Sequence, residues 1–271
     1  MLDWLHDLPA PLGALLVCLA FVIPTLLGSY LLQPAVARLF RGEKDVNTVL
    51  GFLLNAFALY FGVLLALLSI AVFENHNKAE DAVQREAASI VKLYRDFNAY
   101  PEPARSELAA ILHRYVDEVI GPGWALQAKG EINLAEIAIM NELQARVAAF
   151  DPADNKLSLR YAQTLTSLDD FVESRRLRIG ASSSSIPQVM WVVVLIGAVM
   201  NALLIWMFDL RAFSHAIIGG SLSTFIGLVI YMVAALDAPF RGVHAVTPDA
   251  IISVHEQSGM REIPGSADPA R

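Results

Sequence analysis

Four long apolar runs, at about residues 10–32, 48–73, 187–208 and 214–236, flank a charged stretch over 74–185 in a two-plus-two arrangement. Each is nearly free of charge and long enough to cross hydrocarbon, which takes roughly 20 residues at 1.5 Å per residue. Soluble cores need patterned apolar faces, not continuous apolar runs. A hydrophobic fraction of 55% and a positive mean hydropathy therefore point to lipid as part of the solvent. The sequence predicts an all-α membrane protein, with four transmembrane helices around a long helical extramembrane bundle.

The first run does not read as a cleaved leader, because Asp3 and Asp7 precede it and Lys and Arg do not. It is expected to be a retained helix, rearranged at Pro24, where the carbonyl of Ala20 loses its donor. Cys18 is the single cysteine, so no intrachain disulfide can form. The net charge of −7 includes no basic block of the kind that binds nucleic acid.

From Val63 to Tyr100 there is neither Gly nor Pro, so the second run is expected to continue as a stalk into the extramembrane domain. There Val83, Ala87, Ile90, Tyr94 and Phe97 make one apolar face, ended by Pro101 and Pro103. A shorter helix carries Leu108, Ile111, Leu112, Tyr115 and Val119 and closes at Gly121-Pro122-Gly123, with Trp124 as an anchor. A third fits Asn133–Phe150. Asp151-Pro152 reads as the cap of a fourth that runs to about Ile179 as a second stalk, with a joint at Gly180 and Ser182–Ser185 before Pro187 opens the third membrane helix. The tail, 237–271, holds a short helix near Pro248–Glu256 and a disorder-prone end.

Four spans place both termini and the large domain on one face. Charge divides on which face this is: the short loops carry Arg38, Arg41, Lys44 and Arg211, while the domain carries Lys78, Arg85, Lys92, Arg175, Arg176 and Arg178 near its two ends.

Within the spans, Thr25, Asn55 and Asn201 fall ~10–12 Å from the short-loop face, where each is expected to bond across helices or to meet water. The second span has two stripes. Gly51, Asn55, Ala58, Gly62, Ala66 and Ser69 make a small, slightly polar one; Phe57, Phe61 and Leu65 make a bulky one. The small stripe suits a close helix crossing and the bulky one lipid. Alternatively, the bulky stripe, repeated around an oligomer axis, makes an apolar constriction that gates by dewetting. In the fourth span Gly220, Ser223, Thr224 and Gly227 permit a close crossing.

At the membrane exit, Glu74, Arg175, Arg176, Arg178, Asp237 and Arg241 are expected to pair as a collar, with anionic headgroups as the alternative partner of the arginines. The six histidines lack metal-ligand spacing, and no nucleophile has an adjacent base. The sequence thus implies neither a metal, a cofactor nor an enzyme.

Several segments resemble the bestrophin-like DUF4239 family of bacterial membrane proteins: Gly62-Val-Leu-Leu-Ala-Leu-Leu with Phe73-Glu74-Asn75, Val83-x-x-Glu86-Ala87-Ala88, Leu93-Tyr94-Arg95-Asp96, Tyr115 through Trp124, Arg175-Arg176-Leu177-Arg178, Ile186-Pro187-x-x-x-Trp191 and Leu236 through Gly242. The resemblance implies a bestrophin-like layout and a homo-oligomeric ion channel, a pentamer by analogy, in the bacterial inner membrane. By the same analogy the second helix lines the pore, Phe57, Phe61 and Leu65 form its neck, and the helical domain and termini are cytoplasmic. The acidic calcium clasp of animal bestrophins has no counterpart in this chain. The alternative is a non-conducting membrane scaffold or sensor whose helical domain binds a protein partner.

Overall fold

The computed structural model describes residues 6, 8–39, 45–182, 184–208 and 210–257. Asp3, Asp7, Arg41, Lys44 and the tail beyond 257 lie outside the described residues. All regular structure among the described residues is helical: α1 (Ala10–Leu39), α2 (Val46–Phe97), α3 (Ala104–Glu118), a π-type turn (Val119–Gly123), α4 (Trp124–Lys129), α5 (Leu134–Ala148), α6 (Asn155–Ser182), α7 (Gln188–Trp206), α8 (Ala212–Leu236) and α9 (Asp249–Gln257). They fall into two compact units. One contains residues 1–76, 185–238 and 242–245, the other 77–184, 239–241 and 246–271.

The first unit contains α1, α7, α8 and α2 up to His76, and these are the four helices among the described residues long and apolar enough to cross a membrane. Only 22–33% of each apolar window is buried within the protein, so most of its apolar surface faces outward, as lipid solvation requires. Helix α1 runs without a break through Pro24, with the Thr25 hydroxyl donating to the Phe21 carbonyl at 2.8 Å. It lies along α8, and the contact depends on small residues: a Cβ on Gly227 would come 2.9 Å from the Cα of Cys18. The face used is Gly219, Ser223 and Gly227; Gly220 and Thr224, which the sequence assigned to it, turn outward. Helix α2 packs by Phe61 against α7, where a Cβ on Gly197 would overlap the Phe61 ring. At the end of α8, Asp237 accepts from the Ile186 N–H at 2.7 Å and the Trp191 indole N–H at 3.3 Å, tying the start of α7 to the end of α8.

The second unit is a helical bundle around Ile90, Phe97, Leu112, Tyr115, Leu143, Val147 and Phe171, all fully buried. Buried positions recur every three or four residues along these helices, as at Val83, Ala87, Ile90, Leu93 and Phe97, so each helix buries one stripe against the others. Asn133 caps α5, its side-chain oxygen accepting from the backbone of Ala135 and Glu136. The cap of α6 is Asp154, which accepts from Leu157 N–H at 2.6 Å, three residues beyond the expected Asp151. Because α6 ends at Ser182 and α7 opens at Gln188 after Pro187, α6 and the third apolar helix are separate elements. Pro187 lacks the N–H a through-helix would use.

Helix α9 docks through Ile251, which is fully buried, and through His255 beside His113 and 3.6 Å from Asp117. His113 is buried with its ring centroid 6.1 Å from those of Tyr94 and His255. Burial, then His255, holds its imidazole below the usual histidine range, with Asp117 opposing. The folded chain therefore favours neutral His113 more than the unfolded chain does. This stability is complete above about pH 6.5 and declines as the pH falls below it. Melting of the full-length protein in detergent should shift down between pH 7.5 and 5.5, and His113→Asn should flatten that shift; an unchanged slope in the variant would assign it elsewhere.

Candidate functional site

The membrane unit presents α2 in three faces. At about 100° per residue, Phe57, Phe61, Leu65, Leu68 and Val72 share one side. Phe61 and Leu65 are 7% and 6% exposed, and Phe57 stacks on Phe61 at 5.6 Å between ring centroids. All three belong to the apolar cluster that also holds Val194 and Ala198 of α7 and Ile230 and Val233 of α8. The bulky stripe proposed as a neck thus fills the protomer's own core, because Gly197 leaves a notch that an aromatic ring occupies.

The small stripe lies about 100° round the helix from that core. Asn55, Ala58, Gly62 and Ala66 on it are exposed, and Cβ atoms built on Gly51 and Gly62 meet nothing within 4 Å. Beyond it a third face, with Phe52, Leu59, Val63 and Ile70, is uniformly bulky and exposed. The small stripe combines exposure with a side-chain amide, whereas the opposite flank, with Leu53, Tyr60 and Leu67, carries the exposed phenol of Tyr60.

Of the three intramembrane polar residues, Thr25 is the best connected. Its hydroxyl accepts from Ser223 at 2.9 Å, and its carbonyl accepts from the Trp206 indole at 2.8 Å and the Ser29 hydroxyl at 2.7 Å. Asn201 is buried within α7 at 5% exposure. Asn55 stands on the outside of the protomer. Trp206 escaped the sequence reading because its partner is a backbone carbonyl; Gly28, whose missing side chain leaves room for the indole ring, is the signal that could have found it.

Of the exit charges, Glu74 and Asp237 belong to the first unit and Arg175, Arg176, Arg178 and Arg241 to the second. Asp237 is engaged by backbone and indole N–H groups, and Glu74 is exposed. In the helical unit Arg241 donates to the carbonyls of Ala128 and Lys129, at the negative end of α4. Arg176 is exposed, whereas Arg178 turns into the bundle and is 1% exposed. Its Nε donates to Glu86 at 2.5 Å, Nη2 to Glu136 at 2.7 Å and Nη1 to the Gln127 side-chain oxygen. The Arg178 guanidinium carbon also sits 5.8 Å from the Trp124 ring centroid. Arg175 adds a second bond to Glu136 at 2.8 Å, and the Tyr115 hydroxyl donates to Glu86 at 2.5 Å.

Two carboxylates thus meet two guanidinium groups, and the cluster balances its charge. Burial works against a charged Arg178, but Glu86 and then Tyr115 and Glu136 overrule it and hold the guanidinium protonated. Burial, reinforced by Glu86, pushes the Tyr115 phenol well above its ordinary range, so it stays a donor. The sequence signal was a charge on an apolar stripe: Glu86 is spaced with Val83 and Ile90, and Arg178 with Phe171 and Ser174. Among the described residues no group of three or more His, Cys, Asp or Glu is placed to hold a metal ion.

Removing one partner strands a buried charge, so Glu86→Ala or Arg178→Ala should cost about 3–5 kcal/mol in denaturant unfolding. Lys92→Ala, which breaks the exposed 2.7 Å pair with Asp170, should cost less than about 1 kcal/mol. Equal costs would mean that the buried cluster contributes no more than a surface pair.

No curated protein matches the chain in sequence. A solved crystal structure of a membrane protein shares the fold at a TM-score of 0.66, with 11% sequence identity over 91% of this chain and 98% of that one. The bestrophin-like domain matches residues 19–251, an interval that contains most of α1, all of α2 to α8 and the whole Arg178 cluster. On that match, the chain belongs to the bestrophin-like family.

Proposed function

We propose that the protein is a homo-oligomeric ion channel of the bacterial inner membrane, in which α2 lines the pore through its small stripe. Asn55 carries this reading: a side-chain amide exposed among small and apolar residues in the membrane-spanning part of α2. Facing hydrocarbon, the amide would lose its hydrogen bonds at a cost of a few kcal/mol, so it belongs against water or a second copy of the chain. Gly51, Ala58, Gly62 and Ala66 keep that face narrow enough for symmetry copies to approach around an axis. The stripe carries an amide and a hydroxyl but no ionisable group, so it selects by width and dipole, with little preference for charge sign.

Phe57, Phe61 and Leu65 act behind the pore wall in this reading, fixing the rotation of α2 against α7. Family membership supports a pentameric assembly with the helical domain on the cytoplasmic side, which reporter fusions to either end would check. A non-conducting scaffold is the competing reading. A conductance in purified protein separates the two.

Planar-bilayer recording of the purified protein should give unitary currents, with Asn55→Leu reducing them about tenfold or more, the effect of roughly 1.4 kcal/mol on permeation. Phe61→Ala should lower stability by about 3–5 kcal/mol while leaving unitary conductance of the folded fraction within about twofold. Silence of the wild type, with recovery of a specific partner by the intact protein, would favour the scaffold. A widened pore in Phe61→Ala would return the neck to the bulky stripe.

A further inference from the structure

In the helical unit, α2 and α6 run antiparallel and touch where the hydroxyls of Ser89 and Ser174 lie 2.9 Å apart and Lys92 meets Asp170 at 2.7 Å. Farther along, residues 78–85 of α2 and 173–181 of α6, with Ser184 beyond its end, line a cleft of about 490 Å³. Its floor is Ala82, Gly180 and Ala181, where the absence of long side chains leaves the space. Three cations line it: Lys78 and Arg85, two turns apart on one face of α2, and Arg176 from α6. Arg85 and Arg176 form no ion pair among the described residues, in contrast to Arg105, Arg114, Arg146, Arg175 and Arg178. Asp81 and Glu173 stand in the same wall, and Leu177, 43% exposed, adds an apolar edge.

We infer that this cleft binds the headgroup of a glycerophospholipid, the phosphate between Lys78, Arg85 and Arg176, and the headgroup's ammonium or hydroxyl donors on Asp81 and Glu173. Three features select that ligand. The volume lies within the roughly 300–1,000 Å³ that hold small organic ligands, more than a bare phosphate fills. The wall offers both cations and carboxylates, which suits a phosphate that carries hydrogen-bond donors and leaves a plain anion facing two repulsive groups. The lining residues also adjoin the spans in sequence: Lys78 follows Phe73, the last apolar residue of the second run, by five positions, and Ser184 precedes Pro187 by three. Headgroups are concentrated where chains leave a bilayer.

The inference does not depend on conduction, so its failure and the failure of the channel reading are separable. Full-length protein in detergent, delipidated and titrated with phosphatidylethanolamine, phosphatidylglycerol, phosphatidylcholine and inorganic phosphate, tests it by native mass spectrometry. The first two lipids should be retained over phosphatidylcholine, whose quaternary ammonium donates no hydrogen bond. The triple variant Lys78→Gln, Arg85→Gln, Arg176→Gln should weaken their binding about a hundredfold, about fivefold for each cation removed. Arg85→Gln alone should lose about fivefold and guards against misfolding of the triple variant. Asp81→Asn with Glu173→Gln should keep lipid binding but erase the preference over phosphatidylcholine. Equal retention by the triple variant, or displacement of lipid by inorganic phosphate at matching concentration, would overturn the assignment.

Discussion

Hydrocarbon offers no hydrogen bond to a polar group, and that constraint orders the apolar half of the protein. Several hydroxyls in the spans meet it locally: Thr25, Ser29, Ser69 and Thr224 each donate to the carbonyl four residues back. Thr25 then becomes the junction of three helices, receiving Ser223 from α8 and the indole of Trp206 from α7. The small residues follow from this, since Gly28 makes room for the indole and Gly227 lets α8 close on Cys18. An asparagine has no comparable way of bonding back to its own helix with both its amide donors. Asn55 therefore stands out as a side-chain amide that the protomer's packing leaves on the surface.

The helical unit meets the equivalent problem with charge. Arg178 lies in the middle of the bundle with two carboxylates, an amide and a tryptophan around it, so each of its three nitrogens has an acceptor. The arrangement joins α2 through Glu86, α3 through Tyr115, α4 through Gln127 and α5 through Glu136 onto α6. Directional bonds fix the rotation of all five helices, which apolar contacts alone leave free to slide. A bundle tuned in this way is rigid where it is buried and charged where it is open, as in the cleft between α2 and α6.

The spans were legible because length and freedom from charge need no partner to be recognised. Which way each span faces was not, because helices as uniformly apolar as α1, α7 and α8 carry almost no amphipathic signal. The bulk of Phe57, Phe61 and Leu65 suggested a constriction, yet bulk is also what fills a notch at Gly197, a residue 136 positions beyond Phe61 in the chain. Arg175, Arg176 and Arg178 looked like one cluster because they are neighbours in sequence. On a helix, Arg176 and Arg178 lie about 200° apart, so one reaches solvent and the other the core. The caps at Asn133 and Asp154, in contrast, follow local rules, and the sequence missed the second only by choosing the earlier of two aspartates.

The account stands on which face of α2 meets its symmetry copies. A density map of the oligomer in lipid nanodiscs reads this directly. It should show Asn55, Gly62 and Ala66 around a central axis, with Phe61 and Leu65 buried against α7 of the same protomer. Phe61 and Leu65 at the axis, or the Asn55 stripe turned toward lipid, would contradict it.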